Sequence, residues 1–147
     1  MKKFALKKGL AIKILIFVLL AAVFFAAWGY DTYRASLYEI KIYHISDETP
    51  YASMSEKVSF TVRVTKDGKP CKDHEISATC SKGQLASMLE RTDEEGFVTF
   101  VYRPYAETKR QKAGKVTIEL ADLSNSLLIE VNAKMSFSIE LRSPEVV

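Results

Sequence analysis

Residues 58–65 read Val58-Ser59-Phe60-Thr61-Val62-Arg63-Val64-Thr65, a strict alternation of apolar and polar side chains. In an extended strand successive side chains point to opposite faces, so this stretch buries one face and wets the other. The same period of two recurs at Ile76, Ala78 and Cys80, at Val98, Phe100 and Tyr102, at Val116, Ile118 and Leu120, and at Leu127, Ile129 and Val131. Tyr38, Ile40 and Ile42 open the series, and the irregular apolar run Leu85 to Leu89 is read as a short edge strand. Lys66-Asp67-Gly68-Lys69-Pro70, Ser81-Lys82-Gly83, Asp93-Glu94-Glu95-Gly96 and Ala113-Gly114 separate the runs. Gly supplies positive φ, Asp closes Asx turns and Pro fixes φ, which makes these segments turns. Short strands at such intervals predict an all-β fold, an antiparallel β-sandwich over residues 38–142, with a short C-terminal tail at 143–147.

Upstream, Ile14 to Tyr30 carries no charge, and the apolar character reaches back to Leu10 if Lys13 snorkels. That length crosses about 30 Å of hydrocarbon as a helix. Lys2, Lys3, Lys7, Lys8 and Lys13 precede or enter it, with no acid among them, which predicts a cytoplasmic N-terminus over residues 1–13. Residues 14–30, or from 10 where Lys13 snorkels, then form one transmembrane helix and 31–37 a juxtamembrane linker. Lys13, Trp28, Tyr30 and Tyr33 are the expected membrane-interface residues. A cleaved signal peptide is the rival reading, but bulky Phe24, Phe25 and Trp28 interrupt the small residues that cleavage requires. The expected location is therefore the plasma membrane, single-pass, with the β-domain extracytoplasmic.

The charge balance follows this division. Of 21 Lys and Arg residues, the five leader lysines leave sixteen against 18 Asp and Glu, so the folded part is near neutral. A broad basic face for nucleic acid is not expected. Only two histidines occur, His44 and His74, both before Cys80, which does not fit a blue-copper ligand set. Neither belongs to HExxH, and no G-x-S-x-G or glycine-rich phosphate loop is present. No catalytic residue, metal, cofactor or small-molecule substrate is assigned. His74 is read as a half-exposed imidazole bonded to backbone or water, and Asp93-Glu94-Glu95 as a solvated turn. If residues 71–80 are mostly one strand, Cys71 and Cys80 lie about 25 to 30 Å apart, too far for a disulfide. They are expected to be buried free thiols.

The segments VSFTVRVTKDGKPCKDHEISATCSKGQL (58–85), RTDEEGFVTFVY (91–102) and AGKVTIELA (113–121) resemble the bacterial Ig-like domains of the invasin and intimin type. Those repeats read strand, D-x-G-x-P turn, strand, D-x-x-G turn, strand, then G-x-V-x-I. The likeness covers roughly residues 55–133 and implies an Ig-like sandwich whose usual roles are stalk, spacer or adhesion surface.

Two features exceed what a plain sandwich needs. Leu127, Ile129, Val131, Ala133, Met135, Phe137, Ile139 and Leu141 keep one parity for about twice a usual strand length. The last domain strand accounts for residues 127–133, leaving Met135, Phe137, Ile139 and Leu141 as an additional strand. It either pairs with Tyr38 to Ile45 in the same chain or offers a partner-binding edge by β-augmentation. The loop RPYAETKRQKAGK sets Arg103, Lys109, Arg110, Lys112 and Lys115 against Glu107 alone, a solvated loop or a contact for anionic lipid, wall polymer or an acidic patch. Taken together the sequence predicts a non-enzymatic, membrane-anchored, extracytoplasmic Ig-like domain. It would serve as an accessory, scaffolding or adhesion-type subunit of a cell-envelope complex, with the bilayer and another membrane or envelope protein as partners. The alternative is a pilin-like filament subunit processed near Gly9, because Lys7-Lys8-Gly9 before an apolar helix resembles a prepilin, although no glutamate stands early in that helix.

Overall fold

The computed structural model describes residues 2–125 and 132–144. Helix α1 spans Lys2–Ser36. Strands follow as β1 Tyr38–Ile45, β2 Val58–Lys66, β3 Lys69–Pro70, β4 Glu75–Cys80, β5 Gln84–Leu85, β6 Leu89–Arg91, β7 Phe97–Arg103, β8 Lys115–Asp122 and β9 Lys134–Glu140, with a 3-10 turn at Leu123–Asn125. Among the described residues they form two antiparallel sheets. One runs β1-β2-β7-β5 with β3 hairpinned onto β2, and the other runs β6-β4-β8-β9. This is the β-sandwich the alternation predicts.

The quoted stretch lies at the centre. Val58, Phe60, Val62 and Val64 are fully buried on β2, facing Ile76 and Ala78 of β4, Val116, Ile118 and Leu120 of β8 and Ile139 of β9 within one core. Phe60 stacks on Phe100 at 5.5 Å and meets Phe137 edge-on at 5.1 Å, joining the two sheets through aromatic contacts. Burying each such side chain stabilises the fold by roughly 1.5–3 kcal/mol, which is where the sandwich draws its cohesion.

Three expectations change. Residues 31–37 are not a linker, because α1 continues to Ser36 and only Leu37 separates it from β1. No proline or glycine interrupts Asp31 to Ser36, and Thr32 and Ser36 hydroxyls donate to the carbonyls of Trp28 and Tyr33 at 2.8 and 2.6 Å. Arg34 in the last turn faces the negative end of the helix dipole. Secondly, the run Leu85 to Leu89 is not one edge strand. It splits into β5, which pairs with β7, and β6, which pairs with β4, so the chain switches sheets there. Its irregular pattern follows from that change of sheet.

Thirdly, Met135 to Leu141 does not pair with Tyr38 to Ile45. It pairs along its length with β8, Val116 opposite Ile139 and Leu120 opposite Met135. Ile139 and Leu141 are buried in the core. The expected strand over Leu127, Ile129 and Val131 falls outside the described residues. Because β9 completes the core, deleting residues 135–147 is expected to abolish the cooperative thermal transition. The two buried side chains alone cost about 4 kcal/mol or more, a large share of a small domain's stability. A truncated protein that melts cooperatively near the full-length temperature would contradict this packing.

Candidate functional site

The hairpin pairings define two ends of the sandwich. Tyr38 lies opposite Lys66, so α1 joins at the end carrying the Asp67-Gly68 turn, the start of β4 and the end of β8. Val58 lies opposite Tyr102 at the other end, where β7 runs into the 104–114 loop. The length of β2 separates these ends by about 25 Å.

At the helix end, inward parity along β8 places Asp122 after Val116, Ile118 and Leu120, and its side chain is fully buried. His74 Nδ1 and Asp122 Oδ2 lie 2.7 Å apart, and the other carboxylate oxygen accepts from the Ser124 N–H at 2.9 Å. Thr92, also buried, accepts from the His74 N–H and donates to the Cys71 carbonyl at 2.6 Å. The Tyr38 ring tilts over the imidazole at 5.8 Å. These bonds tie the β3–β4 connection, the end of β6 and the end of β8 together beneath the first residue of β1. The Nδ1 of His74 is therefore bonded to a carboxylate, a partner the sequence reading did not expect. The parity of Asp122 was the sequence signal for this partner, since an acid at an inward position needs one. Asp31 of α1 is likewise fully buried near this junction.

Cys71 belongs to the same end and is buried, whereas Cys80 is half-buried at the far end of β4; both are free thiols. Burial pushes both thiols up, Cys71 further through the negative charge of Asp122. Burial also raises the phenol of Tyr102 well above the usual tyrosine range, and its hydroxyl donates to the Lys82 carbonyl at 2.9 Å. Raised acids hold their protons in the fold longer than in the unfolded chain. Stability is thus expected to be insensitive to these groups below about pH 8 and to fall above about pH 9 to 10, as the unfolded chain ionises first. Denaturant midpoints between pH 8 and 11 check the sign; a rise across that window would contradict it.

At the distal end the basic loop is built around Glu107. Its carboxylate accepts from the Ala113 N–H at 3.4 Å and the Ser143 hydroxyl at 3.1 Å, and Lys112 Nζ stands 3.9 Å away. Tyr105 closes the loop by donating to the Lys112 carbonyl at 2.8 Å. The acid that appeared to balance the cations is therefore largely folded inward. Arg103, Lys109, Arg110, Lys112 and Lys115 are all exposed, and among the described residues only Lys112 of these has a carboxylate within 4.0 Å. A groove of about 430 Å³ beside them is lined by Met54, Gln84, Arg103, Tyr105 and Gln111, and Met54 is 71% exposed. The exposed Met54 was not singled out by the sequence, because a lone methionine outside a strand carries no periodic signal.

Of the remaining sequence-predicted residues, Met135 and Phe137 are half-buried at the rim of the core and Ile139 and Leu141 lie inside it. Lys13, Trp28, Tyr30 and Tyr33 are exposed along α1. This is a helix long and apolar enough to cross a membrane, with its apolar side chains facing away from the sandwich. Among the described residues no group of three His, Cys, Asp or Glu side chains could hold a metal ion.

The fold and its motifs define the class, an Ig-like antiparallel sandwich, and no family model matches the chain. By sequence the chain is similar to intimin of Escherichia coli O127:H6, 28% identical over 117 residues, covering 79% of this chain and 10% of that protein. It is also similar to intimin of Hafnia alvei, 28% identical over 99 residues, covering 67% of this chain and 34% of that protein. The chain thus spans about a tenth and about a third of these two relatives. By structure it is similar to the D00-D0 domain of intimin, with TM-score 0.55, 14% identity, and 71% of this chain and 48% of that one covered. A second neighbour is a C-terminal 282-residue fragment of intimin in complex with the intimin-binding domain of the translocated intimin receptor, with TM-score 0.50, 23% identity, and 69% and 33% covered. The sandwich shares the fold of the Ig-like domains of intimin, and its turn and strand motifs are similar to those of the invasin and intimin type.

Proposed function

We propose that this chain is a membrane-anchored interaction module that holds one Ig-like sandwich against the outer face of the plasma membrane and presents its basic distal end to a protein of the cell envelope. The observation that carries this reading is the opposed placement of anchor and basic loop. The apolar helix joins at the Tyr38 end, and the exposed Arg103, Lys109, Arg110, Lys112 and Lys115 cluster at the other. That arrangement carries the loop away from the lipid of its own anchor, which favours an acidic protein patch over headgroups. The lysines before the apolar run favour a cytoplasmic N-terminus. Intimin, a relative in sequence, has been crystallised in complex with a receptor domain, which supports protein binding as the kind of task such modules perform. The near-continuous junction between α1 and β1 suits a scaffolding subunit beside other membrane proteins more than a long reach into the surroundings.

Photo-crosslinking in the native membrane tests this directly. A photoreactive residue at Gln111 is expected to give a discrete protein adduct, and replacing Lys109, Arg110 and Lys112 by Gln should reduce that adduct at least severalfold at low salt. An adduct of equal yield from Ser77, on the side of the sandwich, or one indifferent to the three substitutions, would contradict the reading.

A further inference from the structure

We propose that the groove beside the basic loop receives one aromatic side chain from a partner segment that is otherwise acidic, so that the distal end recognises a short peptide and not merely a negative surface. This rests on the reading of the distal end as the docking face and names what docks there.

Three pieces of chain, fixed to one another by the fold, build the groove. Strand β5 contributes Gln84, which pairs with Arg103 at the end of β7. The Tyr102 hydroxyl, reaching out of the core, donates to the Lys82 carbonyl at 2.9 Å and holds the turn before β5. Tyr105 is held by its bond to the Lys112 carbonyl. Gln111 closes a turn in which the Thr108 N–H donates to its carbonyl at 2.9 Å and its own N–H donates to the Thr108 hydroxyl at 3.0 Å. The Glu107 N–H donates to the Ala52 carbonyl at 3.1 Å, which joins this loop to the segment carrying Met54. A bond from the Glu56 N–H to the Ser53 carbonyl, also at 3.1 Å, then closes the turn that presents Met54. With the walls set in advance, little ordering of the site opposes binding.

The lining and the rim differ in chemistry. Met54, Tyr105 and Ala106 give the groove apolar surface, and no acidic residue lines it. Cations stand around it: Arg103 in the wall, Lys82 with its Nζ 6.0 Å from the centre of the Tyr105 ring, and Lys109 and Arg110 exposed on the loop. Among the described residues none of these four has a carboxylate within 4.0 Å. A partner bearing only carboxylates would engage the rim and leave the methionine in water, whereas a purely apolar one would leave the cations unanswered. An aromatic side chain between carboxylates satisfies both. Its ring meets the thioether of Met54 and the ring of Tyr105, its face suits the Arg103 guanidinium, and the flanking acids meet the rim.

Fluorescence anisotropy tests this with the full chain reconstituted in neutral phosphatidylcholine nanodiscs. The probes are labelled nonapeptide mixtures: Asp and Glu around a central Phe, Asp and Glu around a central Ser, and Asn and Gln around a central Phe. The acidic Phe mixture is expected to bind about tenfold tighter than the acidic Ser mixture, as burial of one ring requires. That ratio should persist from about 50 to about 300 mM salt while both affinities fall, because salt screens the charges and not the apolar contact. Met54→Ser should erase the ratio, and Lys109→Gln with Arg110→Gln should weaken both acidic mixtures alike. Because Met54 is exposed, its substitution is expected to leave the melting temperature unchanged, which separates lost binding from lost folding. Equal affinity for the Phe and Ser mixtures, or a ratio that survives Met54→Ser, would overturn the groove as the site while leaving the basic end as the docking face. Equal affinity for the acidic and the uncharged Phe mixtures would overturn that underlying reading as well. Tighter binding of phosphatidylglycerol vesicles than of any peptide mixture, lost in Met54→Ser, would make the occupant lipid and overturn the proposal.

Discussion

His74→Ala is expected to lower the unfolding free energy by about 3 to 5 kcal/mol, as measured by equilibrium denaturation of the full chain in detergent. Asp122 has no exposed side-chain surface, and its charge is carried by the imidazole at 2.7 Å and by the Ser124 N–H. Removing the imidazole leaves a desolvated carboxylate with half of its support, and a stranded buried charge costs far more than the pair itself contributes. The same reasoning predicts that Asp122→Leu combined with His74→Leu is less harmful than His74→Ala alone, since both polar groups then vanish together. A loss below 1 kcal/mol for His74→Ala would show that Asp122 is satisfied by other means. The effect bears on function because this pair lies under Tyr38, where the helix hands over to the sandwich.

Gly96→Ala is expected to be comparably severe, about 3 kcal/mol or more, read as a fall in melting temperature. Gly96 adopts φ +80°, a left-handed conformation that costs L residues with a side chain 1–3 kcal/mol. A Cβ there would also sit 2.5 Å from the Val64 carbonyl oxygen and 3.2 Å from the Cys71 nitrogen. Neither neighbour can yield cheaply, because the Val64 N–H donates to the Gly96 carbonyl and the Cys71 N–H to the Val64 carbonyl. The turn residue and the central strand are thus locked into one hydrogen-bonded arrangement. Gly68, also at positive φ but with nothing near its Cβ position, should be the milder substitution, and the difference between the two isolates the steric part.

The central strands were legible because alternation on β2, β4, β7 and β8 is the direct imprint of one buried and one wet face, and glycine turns marked their ends. Gly96 and Gly83 were visible as turn residues for the same reason. The motifs within 58–121 also carried the likeness to the intimin type of sandwich. What escaped was information that lives between segments. Leu85 to Leu89 carries too few residues per sheet to show a period, so its change of sheet could not be read. β9 shows a clean period, yet period alone does not say which strand it joins, and its true neighbour proved to be β8. Asp122 kept inward parity without advertising a partner 48 residues away. The continuation of α1 through Asp31 to Ser36 rested on the absence of helix breakers, a weaker sign than the end of the apolar run that obscured it. For the candidate surfaces, the basic loop was visible as composition, whereas its position opposite the anchor required the strand order.

Fluorescence quenching by lipid-borne quenchers, on the full chain reconstituted in a bilayer, tests the account most directly. A probe attached through Asp67→Cys and one attached through Lys109→Cys mark the two ends of the sandwich, about 25 Å apart along β2. The account predicts strong quenching of the first by headgroup-level quenchers and little quenching of the second, with Lys109 open to a water-soluble quencher added outside. Equal quenching of both probes by lipid, or a Lys109 probe shielded at the headgroups, would contradict an anchored sandwich that displays its basic end away from the membrane.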